Sequence, residues 1–311
     1  MVRQSKGIHH ISAIVGHPQE NYDFYTKVLG LRMIKQTVNF DDPQTYHLYF
    51  ADDAGTPGTV ITFFPWPNAH QGVIGDGQVG VTTYVVPPGS FPFWEARLDY
   101  FNISFNKVTR FNETFLQFKD VHGLNLELVE REAGKANNWA SHGVTVETAI
   151  KGFGGAILYS AHPEDTANVM EHIMGFKKVA EEGHYIRFEG TADLGQIIDL
   201  KMSTGTRGRM GVGAVHHIAW RADDKVDHLA WQNHIAERGM HVTAVKDRQY
   251  FDAIYFREPG QILFEIATDG PGFIIDEPFA HLGETLMLPP QYEANRVQIE
   301  SGLIPLKLAK Q

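Results

Sequence analysis

The chain has 311 residues, 43% of them hydrophobic and 21% charged, with a formal net charge of −10, no cysteine and 16 histidines. That is the composition of a globular protein with room for two domains, and its acidic balance lacks the basic footprint a nucleic-acid partner requires. Disulfides and thiolate metal sites are excluded outright.

No apolar run approaches the roughly 18 residues of a membrane span, so no membrane partner is expected. The first strand begins near Ile8, which leaves no room for a secretory leader and gives a cytoplasmic expectation. Residues 8–15 read as an apolar strand. His17-Pro18-Gln19-Glu20 then opens a helix with proline in its first turn. Tyr22, Phe24, Tyr25, Val28 and Leu29 recur at helical spacing until Gly30 stops it. Strands around 33–38, 45–50 and 59–64 complete a βαβββ unit. The order returns with a strand at 79–86, a helix around 94–98 and a last strand at 124–129. It returns again with a strand at 155–160, a helix opened by His162-Pro163-Glu164-Asp165 and ended at Gly175-Phe176, and a last strand at 196–200. A fourth copy has a strand at 215–220, a helix at 226–238 stopped by Gly239, and a last strand at 262–267.

A unit this small cannot bury its own sheet, so units must pair. The expected fold is α+β: four βαβββ modules forming two paired-module domains, 7–132 (modules one and two) and 152–268 (modules three and four). Residues 269–311 follow as a C-terminal packing arm with a helix at 291–301. Turn chemistry points to another pairing. Modules one and four share Pro57-Gly58 and Pro259-Gly260 in their second hairpins, while modules two and three lack that proline. This suggests one with four and two with three, and the sequence leaves the choice open. The glycine-rich stretch 204–213 precedes a strand rather than a helix, so it reads as a turn and not a phosphate loop.

Two doublets, His9-His10 and His216-His217, occupy equivalent first-strand positions. Strand neighbours face opposite ways, so each doublet offers one imidazole to a shared site. His9 falls on the face of Ile11, Ala13 and Val15, while His10 shares its face with the smaller, polar Ser12. His216 goes with Ile218 and Trp220, and His217 with Ala219. Glu265 goes with Leu263 and Ala267. The expected metal ligands are therefore His10, His217 and Glu265, the two-imidazole, one-carboxylate set of a non-haem iron centre. A single buried histidine is more often a hydrogen-bonded core residue; two matched doublets plus a strand glutamate that is costly to bury favour the metal. Modules two and three offer Thr82, Thr83, Leu158 and Tyr159 in place of histidine, so Glu127 and Asp199 read as solvated or locally paired carboxylates. Counting five from Gly58 and from Gly260 reaches Phe63 and Glu265, which makes Phe63 the module-one counterpart of Glu265 and a pocket residue. Phenylalanine cannot bind a metal, so one coordination face is expected to stay open to water, substrate and dioxygen.

Repeats with His on a first strand and Glu on a last strand resemble the vicinal oxygen chelate superfamily over residues 7–268. Gly7-Ile8-His9-His10-Ile11-Ser12, the block 58–66 ending Phe63-Phe64-Pro65-Trp66, and Leu288-Pro289-Pro290 look like its ring-cleaving dioxygenases acting on hydroquinones. The resemblance implies Fe(II), with Mn(II) as the alternative ion, on His10, His217 and Glu265. It also implies Tyr255 and Arg248 beside the metal and His9 and His216 behind the ligands, with Ser12 keeping the hydroxyl of a threonine found in relatives. The implied reaction is extradiol-type opening of a dihydroxylated ring, with a small aromatic substrate and dioxygen as partners. Tyr255, then His216, are the acid/base candidates, and Arg248 would stabilise oxyanion charge. Two other readings stand beside it: a glyoxalase-like isomerase or lyase that works without oxygen, and a non-catalytic aromatic-ligand-binding protein indifferent to metal. Oligomerisation is left open.

Overall fold

A computed structural model describes residues 3–202 and 205–309, so Thr204, at the head of the glycine-rich turn, lies outside the described residues. Module one comprises β1 (Ile8–Val15), α1 (Pro18–Asp23) prolonged by a π-helical turn (Phe24–Val28), β2 (Arg32–Asn39), β3 (Asp42–Ala51) and β4 (Val60–Pro65). Module two comprises β5 (Gln78–Val86), α2 (Phe91–Tyr100), β6 (Phe105–Arg110), β7 (Glu113–Lys119) and β8 (Asn125–Glu130). Module three comprises β9 (Gly152–Tyr159), α3 (Pro163–Asn168) with its own π turn (Val169–Ile173), β10 (Lys177–Glu182), β11 (Tyr185–Glu189) and β12 (Ile197–Lys201). Module four comprises β13 (Ala214–Ala222), α4 (Lys225–Ala236), the short β14 (Lys246–Asp247), β15 (Phe251–Arg257) and β16 (Leu263–Pro271). Helix ends follow local chemistry. Nδ1 of His17 accepts from the backbone N–H of Gln19 at 3.2 Å, and Asp224 caps α4 by accepting from Val226 and Asp227. Gly30 and Gly175 both close their helices at φ +70°, where a side chain would be strained.

The modules form two curled eight-stranded sheets, ordered β14-β15-β16-β13-β1-β4-β3-β2 and β10-β11-β12-β9-β5-β8-β7-β6. Module one thus pairs with module four and module two with module three, as the shared proline suggested. Among the described residues the strand ladders join modules across the halves 7–132 and 152–268 rather than within either. In the first sheet, β1 and β13 run antiparallel about Ile11↔Ile218, with His10 opposite Ala219 and Ser12 opposite His217. Ile11, Ala13, Val15 and Phe63 join the main core, whereas Tyr49, Val60, Ala219, Phe251, Ala253 and Ala267 form a second cluster. Strand alternation puts these on opposite faces, and the second face is the one that carries the candidate site.

The arm continues as turns of 3₁₀-helix at Phe273–Ile275, Phe279–His281 and Pro290–Asn295, then α5 (Arg296–Gly302). The helix expected over 291–301 is therefore 3₁₀ in its first half and α-helical in its second. Among the described residues no helix is long and apolar enough to cross a membrane.

Candidate metal centre

His10, His217 and Glu265 each bring one ligand atom within 4.8 Å of the others. The row Glu265–Ala219–His10 runs across β16, β13 and β1, and His217 enters two residues along β13. His10 Nε2 lies 3.3 Å from His217 Nε2 and 3.5 Å from Glu265 Oε2, and His217 Nε2 lies 2.8 Å from the same oxygen. Two ligands bound at about 2.1 Å and at right angles to each other are about 3 Å apart, so these separations suit three adjacent positions on one ion. The strongest sign is Glu265 itself. It is fully buried, and neither oxygen has a hydrogen bond of acceptable geometry. A buried charge left so would be costly without a cation. Burial resists its ionisation, but the His10 and His217 imidazoles outweigh that and hold the carboxyl well below the usual carboxylate range. Burial likewise lowers His217, keeping it neutral as a ligand must be.

The first histidine of each doublet does not follow simple alternation. The β1–β13 ladder is irregular between Ile8 and His10 and again between Ser12 and Ala13, so His9 and His216 each occupy a bulge. His9 was expected under the apolar face; instead its Nδ1 meets His10 Nδ1 at 3.0 Å and its ring lies 5.4 Å from Phe251. His216 Nδ1 meets His217 Nδ1 at 2.7 Å. In both doublets the second imidazole is held at Nδ1 with Nε2 turned to the cluster, the orientation a ligand histidine needs. Burial, and then His217, push the His216 imidazole down to about 3.

Tyr255 lies directly opposite Glu265 across the β15–β16 ladder, with its ring 5.7 Å from that of His217. Its hydroxyl accepts from Arg248 Nε at 3.3 Å. Burial and then Glu265 raise the phenol, against the opposing Arg248, so it stays protonated. A cavity of about 160 Å³ adjoins the cluster, lined by His10, His216, His217, Arg248 and Tyr255 and walled by aromatic residues including Phe40, Phe64, Trp66 and Phe251.

Phe63 is a correction. It is fully buried against Tyr25 (4.4 Å) and Phe50 (5.8 Å) in the main core and does not line the cavity. The ladders explain why. Ala219 pairs with Glu265 in module four, and the equivalent pair in module one is Ser12↔Thr62, so Thr62 is the counterpart of Glu265. Counting from the prolines failed because the second hairpin loops differ, spanning 52–59 in module one and 258–262 in module four. The same alignment makes Tyr49, opposite Thr62, the counterpart of Tyr255. Sequence reasoning missed the network around it. Ser12 Oγ and Thr62 Oγ1 are 2.6 Å apart, Thr62 Oγ1 meets His47 Nε2 at 2.8 Å, and His47 Nδ1 meets the Tyr49 hydroxyl at 2.8 Å. The alternation of His47 and Tyr49 on one strand face was the available signal.

In the second sheet the corresponding ladder positions hold Glu127 and Asp199, opposite Thr83 and Ile157. Both are buried rather than solvated. Arg110 pairs with Glu127 and, at 2.7 Å, with Asp199, while Arg187 pairs with Asp199 at 2.7 Å. A guanidinium stands there where a metal ion would stand in the first sheet.

A family model described as the Glyoxalase/Bleomycin resistance protein/Dioxygenase superfamily matches residues 7–148 and 152–266. The chain is 60% identical over 308 residues, 99% of each chain, to MhqO of Bacillus subtilis (strain 168), named as a candidate ring-cleaving dioxygenase. It is 31% identical over 300 residues to the chlorohydroquinone/hydroquinone 1,2-dioxygenase of Sphingobium indicum, covering 93% of this chain and 92% of the relative. A crystal structure of a candidate dioxygenase from Bacillus subtilis superposes with a TM-score of 0.98 at 59% identity, covering 100% of both chains. Duplicated βαβββ modules, paired across two sheets, thus place this chain in the glyoxalase/bleomycin resistance protein/dioxygenase superfamily.

Proposed function

We propose that the chain is an Fe(II)-dependent, extradiol-type dioxygenase that opens a single dihydroxylated aromatic ring, a hydroquinone, beside a hydroxyl-bearing carbon. The observation that carries this reading is the cluster of His10, His217 and Glu265 with Thr62, not a carboxylate, in the fourth ladder position. Two imidazoles and one carboxylate with free positions are the ligand pattern of non-haem Fe(II) oxygenases, and favour iron over an oxygen-rich Mn(II) site. Bound there, iron would supply a common attachment point and electron path for the ring oxygen and dioxygen. The stoichiometry needs no external reductant, because both oxygen atoms end in the ring-opened product.

The chain's own groups divide the remaining work. Aromatic walls orient the ring and exclude water. His216, its Nδ1 accepting from the Nδ1–H that His217 must carry to bind through Nε2, has its own proton on Nε2 and can donate it as a hydrogen bond to a ring oxygen. Tyr255 can donate its proton where oxygen acquires charge, and Arg248, bonded to Tyr255, stabilises that charge. Cavity size favours this reading over a glutathione-conjugate isomerase. A space of about 160 Å³ is close to that of a cavity known to hold benzene, about 150 Å³, and below the roughly 300 Å³ of drug-sized sites. The relative that acts on chlorohydroquinone and hydroquinone supports the same substrate class. The test is anaerobic Fe(II) loading followed by oxygen uptake with hydroquinones, catechols and a hemithioacetal. Uptake on hydroquinones is the expected result. Oxygen-independent turnover of the hemithioacetal supports the isomerase instead, and ligand binding unaffected by chelation supports a binding protein.

A further inference from the structure

The outer wall of the cavity comes from two turns at opposite edges of the first sheet. Phe40 and Asp41 lie in the β2–β3 turn, Arg248 lies just after β14, and β2 and β14 are the sheet's two edge strands. No ladder joins these edges among the described residues. One direct link is the ion pair between Arg248 and Asp41 at 3.0 Å, but the Asp41 side chain is 65% exposed. Such a pair contributes at most about 1 kcal/mol, too little to fix a rim.

The C-terminal arm supplies the other links. Lys35 of β2 is fully buried, and its Nζ donates to Asp276 Oδ1 at 2.6 Å and to Glu277 Oε2 at 2.5 Å. The second oxygen of Asp276 accepts from the Tyr250 hydroxyl at 2.9 Å and from Gln249 Nε2 at 2.8 Å. Asp276 therefore bridges the two edges directly. Further on, the Met287 N–H donates to the Gln36 carbonyl at 2.9 Å, and the Tyr292 hydroxyl donates to the Phe40 carbonyl at 2.8 Å. Mere packing needs only the apolar contacts that Leu288, Ile299 and Leu303 already make with the core. Other polar contacts of the arm reach Arg32, Gln19 and Tyr22, away from the cavity, but those of Tyr292 and Asp276 fall on the two turns that wall it, and a buried lysine is tolerated only when fully paired.

We propose that the arm is a clasp that sets the width of the substrate cavity, Tyr292 positioning Phe40 and Asp276 positioning the turn of Arg248, so that it determines which ring substituents fit. This rests on the ring-cleaving reading above, and it makes Tyr292 a positioning residue rather than a catalytic one. Tyr292→Phe removes one hydroxyl and keeps the ring. With Fe(II)-loaded protein, kcat/KM is measured for hydroquinone and for tert-butylhydroquinone, alongside iron content, Tm and amide hydrogen exchange in the segment 39–46. Loss of one hydrogen bond should lower the preference for the smaller ring by about three- to tenfold. The expected change lies in KM, with kcat on hydroquinone, iron content and Tm held, and with exchange faster in that segment. An unchanged preference, or equal losses on both rings, overturns the proposal. If the wild-type protein opens neither ring, the functional reading fails separately, and the exchange comparison decides the clasp: unchanged exchange overturns it.

Discussion

His9 and His216 show how one extra residue re-aims a side chain. Strict alternation places His9 with Ile11, but the bulge sets it against His10, and bulges gather beside active sites for this reason. The clustering of His10, His217 and Glu265 was legible because they share faces with small residues. The fourth position was not, because it depends on register, and register needs loop lengths that the Pro-Gly dipeptides do not fix. Replacing His10, His217 or Glu265 by alanine should abolish iron binding, whereas Glu258→Gln, at a buried carboxyl elsewhere, should leave metal content intact by elemental analysis. His9→Ala should keep the site but weaken its iron affinity by about 10- to 100-fold, as removal of a supporting hydrogen bond does. Thr62→Glu should retain iron and lower ring cleavage by about 10²-fold or more, since a misplaced or competing group costs at least that much. Thr62→Val, which loses the hydroxyl without adding a ligand, should lose much less. Equal activity in the two Thr62 variants would show that this position does not address the metal.

Elements were easier to read than their connections. The helix beginning at His17-Pro18 and its stop at Gly30 follow from capping and glycine chemistry visible in the sequence. The 52–59 loop does not, because its shape comes from Asp52 Oδ1 accepting from Ala54, Gly55 and Thr56 at 3.2, 2.8 and 2.9 Å. Helix α4 carries two buried histidines whose Nε2 atoms donate to backbone carbonyls, His228 to Ile266 and His234 to Ile173, each at 2.9 Å. Burial lowers both below the ordinary imidazole value. The unfolded chain takes up these protons near pH 6.5 while the folded chain resists them, so stability should fall as pH drops below about 6.5. His234→Gln keeps a donor for the carbonyl and removes the titration. Its Tm should therefore decline less than that of the wild type between neutral pH and pH 5, and an equal decline would rule out His234 as a source.

The whole molecule uses one architectural plan twice, with opposite outcomes. The first sheet keeps a cavity at its centre, while the second fills the same place with Arg110, Arg187, Glu127 and Asp199. The expectation of local pairing for the two carboxylates was right and that of solvation was not, since the arginines arrive from β6 and β11, where nothing in the local pattern marks them as buried. Arg110→Leu should cost about 3–5 kcal/mol by urea unfolding, because it strands the buried Glu127 carboxylate while Asp199 keeps Arg187, yet leave iron content unchanged. Burying each module's sheet requires a partner, and the pairing across the halves brings His10 and His217 together from positions 207 residues apart. The claim that joins these scales is that the first sheet's centre delivers both atoms of dioxygen to an opened ring. Fe(II)-loaded protein given hydroquinone under ¹⁸O₂ tests it through the mass of the ring-opened product. Two labelled oxygens in each product molecule are predicted; a product with one label or none, or equal turnover without oxygen, would contradict the account.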